Sequence, residues 1–238
     1  AIHGARSALR KALGAAHQDA LLALYDADTP RPYAPDAEGI AHRSLMNLAL
    51  SYLLAAGVPG AVGRAQARYD QADNMTDRLA ALRALLWSGQ DEGVAAAAPV
   101  LDAFLARYRD QPLVVDQWLS TQALVPGEAT LDQVQALTTH EAFDARNPNK
   151  LRALLGAFAG QNPTAFHRPD GAGYRFLGQW IETLDQQNPQ VAARLLTPLT
   201  RWRRYPSAAQ ALMKAELERL AERIRSPDVY EVVSKSLA

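Results

Sequence analysis

Residues 147–199 read NPNKLRALLGAFAGQNPTAFHRPDGAGYRFLGQWIETLDQQNPQVAARLLTPL. Asn-Pro occurs at 147–148, 162–163 and 188–189, each time where an apolar periodic segment begins. An Asn side chain at the N-cap accepts a hydrogen bond from an unpaired backbone N–H, and a Pro at the first helical position gives up only a donor that had no partner. Each pair therefore predicts a helix start. Behind the first, Leu151, Leu154, Leu155 and Phe158 fall at i, i+3, i+4 and i+7; behind the third, Val191, Leu195, Leu199 and Trp202 form a similar stripe. Between them Asp170-Gly171-Ala172-Gly173 predicts a turn, both glycines being free to take φ > 0, and Tyr174, Leu177, Ile181 and Leu184 carry the next apolar face.

The same signals extend to both ends of the chain. An opening helix is expected to about Tyr25, ended by Thr29-Pro30-Arg31-Pro32-Tyr33-Ala34-Pro35, whose prolines lack backbone donors and push their neighbours to extended conformations. Helical patterns follow around 36–56 (Leu45, Leu48 and Tyr52 on one face), 59–72, 74–87, 94–108, 113–123, 130–139, 206–225 and 227–237. Asn74 with Asp77 makes a capping-box-like start, and Ser226 reads as a cap before Pro227. No stretch alternates with period two long enough to suggest a sheet. A dozen or so short helices on short loops, without a clean fixed-period repeat, predict an all-α, irregular α-solenoid or superhelix of HEAT- or armadillo-like helix pairs. No convincing boundary follows Pro35, so residues 1–238 are read as a single helical-repeat domain.

Several words of this chain carry a resemblance. NPNKLRALLGAFAGQNPTAFH, DGAGYRFL, NPQVAARLL, RRY, DNMTDRLAAL, EGIAHRSLMNLALSYL, the opening IHGARSALRKALGAAHQDALLALY and the closing DVYEVVSKSLA closely resemble the C-terminal helical domain of the bacterial aminopeptidase N family, zinc-dependent aminopeptidases of the M1 class. The resemblance covers essentially the whole chain. It implies a superhelical fold and a C-terminal fragment of a larger peptidase, with the zinc and the catalytic domain lying N-terminal to this segment. The opening of the chain inside an amphipathic pattern, without an initiator Met, agrees with a fragment.

Composition bounds the other readings. Lys plus Arg and Asp plus Glu are both 25, so no global field draws the chain to nucleic acid or an anionic membrane, and neither partner is expected. The absence of Cys excludes disulfides, thiolate metal sites and a Cys nucleophile. No apolar run approaches the roughly 18 residues of a membrane span. The lack of Cys leaves the compartment open; a cytoplasmic location is the expectation, without support from composition.

Chemistry-bearing motifs are scarce. A zinc peptidase of this class needs His-Glu-x-x-His and a further acidic ligand. The nearest approach is His140-Glu141-Ala142-Phe143-Asp144, with Asp where the second His would stand and Pro163 at the spacing of the family's further Glu; it reads as a polar helix end before a loop. His3, His17, His42 and His167 share no ligand spacing and read as surface or capping residues. The Gly171-Ala172-Gly173 turn lacks a phosphate-binding fingerprint and reads as a connector, and no Ser stands in a nucleophile elbow. The run Arg201-Trp202-Arg203-Arg204-Tyr205 reads as cations complementing a helix C-terminus rather than a phosphate patch. No catalytic residue, metal ligand or cofactor is expected within this chain.

Two arginines remain. Arg152 and Arg194 stand in the early turns of their expected helices, where the dipole disfavours cations, and each borders an apolar stripe. One reading lays each along its stripe, with the guanidinium in water or paired to a carboxylate. The resemblance implies the other: both positions match arginines of the concave face that closes over the family's catalytic chamber, where a guanidinium fork suits a peptide carboxylate or carbonyl. The function expected from all this is a non-catalytic domain that closes over the active site of a zinc aminopeptidase and helps control peptide access and binding. Its partners would be the catalytic domain of the same polypeptide and peptide substrates. The competing reading is an independent scaffold binding a protein or peptide partner on its concave face.

Overall fold

The computed structural model describes residues 2–29 and 31–238, and among the described residues all regular structure is helical. The chain gathers into two compact units, Ala1–Arg107 and Tyr108–Ala238. In the first unit α1 (Ile2–Ala16) and α2 (Gln18–Asp26) replace the one opening helix expected, parting at His17, whose φ −113° and ψ 20° leave the helical region. Gly14 brings α1 close to the helix at Ala37–Ala56, since a Cβ there would lie 2.9 Å from Ala56 Cβ. Pro30, part of the proline-rich segment expected to end this stretch, lies outside the described residues; residues 31–35 are non-helical as expected.

α3 (Ala37–Ala56) is the axis of this unit, packed by α1, α2, α4 (Ala61–Gln71) and α5 (Met75–Leu86). Its buried stripe is Met46, Ala49, Leu50, Leu53 and Leu54, at i, i+3, i+4, i+7 and i+8. The face expected from the sequence is the wrong one: Leu45 and Leu48 are 47% and 55% exposed. The helix is apolar almost all round, so periodicity alone cannot choose its inner side. Asn74 caps α5 as expected, accepting from Asp77 N at 3.0 Å; the Asp77 carboxylate reaches back to the Asn74 side-chain amide at 2.9 Å. α6 (Asp91–Tyr108) begins three residues earlier than expected, with Asp91 and Glu92 at the positive end of its dipole.

In the second unit α7 (Pro112–Ala123) and α8 (Thr130–Leu137) precede a continuous rod made of α9 (Pro148–Leu151), a π-helical turn (Arg152–Gly156) and α10 (Ala157–Gln161). α11 (Pro163–Phe166) leads to the long α12 (Ala172–Gln187), which packs on α11, α13 (Pro189–Leu195) and α15 (Ser207–Arg223). α14 (Thr197–Thr200), a 3₁₀ turn (Trp202–Arg204) and α16 (Pro227–Leu237) complete it. All three Asn-Pro caps form: Asn147 accepts from Asn149 N (2.9 Å), Asn162 from Ala165 N (3.1 Å) and Asn188 from Val191 N (3.3 Å). Ser226 likewise accepts from Val229 N at 3.3 Å.

The core of this unit is aromatic, with Phe158 edge-on to Phe166 and Phe176, each at 5.8 Å, and Phe166 edge-on to Tyr174 at 5.2 Å. Of the two turn glycines only Gly171 has positive φ (69°). Gly173 is instead a site of close approach, because a Cβ there would sit 2.9 Å from the Phe166 carbonyl carbon. No helix among the described residues is long and apolar enough to cross a membrane.

Candidate functional site

Within the second unit a cleft of about 830 Å³ opens between the α9–α10 rod and the α13–α14 pair, with Asn162, Pro163, His167 and Tyr205 among its lining residues. Arg152 and Arg194 both line it, one from each helical wall, and Arg201 joins them. The structure thus brings together the two residues singled out from the sequence, which lie 42 positions apart.

Local structure sets each one. Arg152 opens the π-helical turn, the sole π-helical segment among the described residues. A π turn takes an extra residue and so rotates the faces on either side of it, a feature frequent at functional sites. Its guanidinium donates to Asn149 Oδ1 at 3.3 Å, and its stem passes over Gly156, where a Cβ would stand 3.4 Å from Arg152 Cγ.

Arg194 is not in an early turn, as its position behind Asn188-Pro189 suggested, but in the last turn of α13, where the dipole favours a cation. The helix stops because Pro198 has no N–H for the Arg194 carbonyl. Thr197 supplies the missing donor, its hydroxyl bonding Arg194 O at 2.8 Å.

The basic run after α14 divides. Arg203 Nη1 and Trp202 Nε1 donate to Ser236 O at 2.7 and 3.2 Å, closing the C-terminus of α16, and the Arg203 guanidinium lies 4.3 Å from the Trp202 ring centroid. This is the structural role expected for the run, exercised on a different helix end. Arg201 is turned to the cleft instead, a site residue that the sequence reading passed over.

The charge of this cleft is of one sign. Several arginines elsewhere are matched, Arg64 with Asp26 at 2.7 Å, Arg146 with Asp144 at 3.2 Å and Arg168 with Asp170 at 2.9 Å. No Asp or Glu lines the cleft. Arg152, Arg194 and Arg201 are exposed and have no carboxylate partner among the described residues. A second cavity of about 760 Å³, in the first unit, is lined by both signs and neutralises itself: His42 meets Asp28 at 2.7 Å, and Arg68 meets Asp28 at 3.6 Å and Asp77 at 3.2 Å.

His167 stands at the C-cap of α11, half-buried rather than free on the surface. Its Nδ1 is hydrogen-bonded to the Tyr174 hydroxyl at 2.9 Å, and its ring stacks at 4.3 Å on Tyr205. Burial holds its pKa below the usual imidazole value, and burial together with Tyr205 pushes Tyr174 up to about 12. The cleft therefore carries a neutral imidazole and three cations at neutral pH.

Because the folded His167 pKa lies below the unfolded one, its contribution to stability is present above about pH 6.5 and is lost as pH falls through the lower folded value. Melting curves between about pH 7.5 and 5 should show a decline that His167→Gln makes shallower. Equal declines in the two proteins would contradict this.

The zinc-like word at 140–144 does not fit a metal. His140 Nδ1 accepts from Ala142 N at 3.0 Å, closing a turn, and the ring packs on Trp118 at 5.2 Å. Among the described residues no group of three His, Asp or Glu could hold an ion.

Comparison with known proteins gives the family. The sequence profile described as "Domain of unknown function (DUF3458_C) ARM repeats" matches residues 1–238, and the chain belongs to that family of armadillo-type helical repeats. Its relatives carry the name expected from the sequence. Aminopeptidase N of Escherichia coli (strain K12) is 41% identical over all of the chain, and aminopeptidase N of Haemophilus influenzae is 37% identical over 99% of it. The chain spans only 27% of the length of either relative, in its C-terminal part. Among solved structures, the Legionella pneumophila aminopeptidase A in complex with aspartic acid superposes with a TM-score of 0.88 at 28% identity, over 99% of this chain and 28% of its own. The resemblance read in the sequence, to the C-terminal helical domain of bacterial aminopeptidase N, therefore holds, as does the all-α repeat architecture.

Proposed function

We propose that this chain is the non-catalytic C-terminal part of a cytoplasmic, zinc-dependent aminopeptidase, closing over the active-site chamber and binding the distal end of the peptide substrate. Its partners are the catalytic domain of the same polypeptide, which holds the zinc, and the peptides it cleaves. The observation that carries this reading is the unneutralised cleft: two arginines on facing walls, with no carboxylate beside them. Guanidinium forks bind a carboxylate with two parallel hydrogen bonds, and a free peptide C-terminus is the anion an aminopeptidase substrate always presents at its far end. Contacts remote from the scissile bond position it, and a domain drawn over the site limits bulk water. The exposed apolar side of α3, with Ile40 at 53% and Leu48 at 55%, suits packing against another part of the polypeptide.

Gly160 offers the experiment. It lines the cleft in helical conformation, and a Cβ there meets no atom within 4 Å, so a larger side chain can stand there without strain. In the intact polypeptide Gly160→Leu should leave hydrolysis of a single aminoacyl amide unchanged. The melting temperature should hold or rise, since Gly costs a helix up to about 1 kcal/mol relative to a better helix former. Cleavage of peptides of five or more residues should weaken by about tenfold, one lost binding contact of about 1.4 kcal/mol. Unchanged cleavage of long peptides would remove the cleft from the substrate path.

A further inference from the structure

A single carboxylate cannot satisfy three guanidiniums. Arg152 and Arg194 line the cleft from different helical elements, and Arg201 stands seven residues beyond Arg194, past the end of α13 and the short α14. Trp202 and Arg203, the next two residues of the basic run, both donate to the Ser236 carbonyl at the α16 terminus. Arg201 lines the cleft with no carboxylate from this chain to meet it, and His167 beside it is held neutral by burial. Three like charges in one concavity repel one another, and each anion that enters relieves that repulsion. A peptide whose only anion is its terminal carboxylate leaves the cleft with a net charge of +2.

We propose that Arg201 determines specificity, so that the cleft prefers peptides bearing an acidic side chain among their last three residues. The terminal carboxylate meets Arg152 and Arg194, and the side-chain carboxylate meets Arg201. An extended peptide advances about 3.3–3.6 Å per residue, so a side-chain carboxylate among the last three residues stays within roughly 10 Å of the terminal one, near enough for arginines of one cleft to meet both. Cleft-lining amides from Gln161, Asn188 and Gln190 suit a polar strand lying between the two anchors. This inference rests on the proposed peptide-binding role of the cleft and extends it to a class of substrate.

The experiment uses the intact polypeptide and four hexapeptides that share their first four residues and end in Ala-Ala amide, Ala-Ala, Glu-Ala or Lys-Ala, the last three with free carboxylates. The expected order of kcat/KM is Glu-Ala, then Ala-Ala, then Lys-Ala, with the first step about three- to fivefold, the upper range for an exposed ion pair. Arg201→Ala should erase the Glu-over-Ala step through KM while leaving the free acid preferred over the amide and the melting temperature unchanged. Arg201→Lys should retain part of the step, since the charge survives and the fork does not. Equal rates for Glu-Ala and Ala-Ala, with the free acid still preferred over the amide, would overturn the role of Arg201 alone. Equal rates for free acid and amide would overturn the peptide-binding reading beneath it.

Discussion

Replacing Asn162 with Ala lowers stability by about 2–4 kcal/mol, the sum expected when several buried hydrogen bonds lose their common partner. Asn162 is 3% exposed and makes four such bonds. Its Oδ1 accepts from Ala165 N at 3.1 Å and from Thr164 Oγ1 at 2.9 Å, starting α11. Its Nδ2 donates to Ala123 O at 2.9 Å and Val125 O at 2.7 Å, closing the end of α7. Thr164 Oγ1 in turn accepts from Gly127 N at 2.9 Å, so the loop after α7 hangs on the same residue. Denaturant unfolding measures the loss. Asn162→Asp separates the two halves of the role, because a carboxylate keeps the acceptor and presents negative charge to two carbonyls. It should be at least as destabilising as Ala, and a loss below about 1 kcal/mol in either variant would contradict the account.

That residue also shows what the sequence makes legible. Asn162-Pro163 announces a helix start because capping is local, decided within three residues. Nothing local announces the bonds to Ala123 and Val125, 39 and 37 residues away. The same division runs through the whole chain. Helix existence was readable from period and caps, down to Ser226, whereas the inner side of α3 was misread because Met46, Ala49 and Leu50 are no more apolar in pattern than Leu45 and Leu48.

The candidate site divides in the same way. Arg152 is legible as a cation bordering an apolar stripe, but no local residue pattern announces the π-helical turn it opens. Arg194 was placed at the wrong end of its helix because the weight of Pro198 was missed. Arg201 lay inside a run whose neighbours do close a helix end, and only the fold separates it from Arg203.

Removing the guanidinium of Arg152 or Arg194 in the intact polypeptide should weaken kcat/KM for long peptides by about 1–3 kcal/mol, the range for a lost hydrogen bond to a charged group. Both side chains are exposed and line the cleft without a carboxylate partner among the described residues, so neither deletion leaves a buried charge behind. Arg152 donates to Asn149 Oδ1 at 3.3 Å, a bond on an exposed surface whose loss changes stability little. The two losses should not add in full, since both groups would meet one carboxylate.

The most direct test of the whole account is the double variant Arg152→Ala, Arg194→Ala, assayed beside the unaltered protein on a single aminoacyl amide and on a hexapeptide, with a melting curve for each. The account predicts an unchanged melting temperature, an unchanged rate on the amide, and a hexapeptide kcat/KM lower by at least about tenfold, equivalent to about 1.4 kcal/mol. An equal loss on both substrates, or a fall in melting temperature that accompanies it, would contradict substrate contact at this cleft and make the two arginines part of the packing alone.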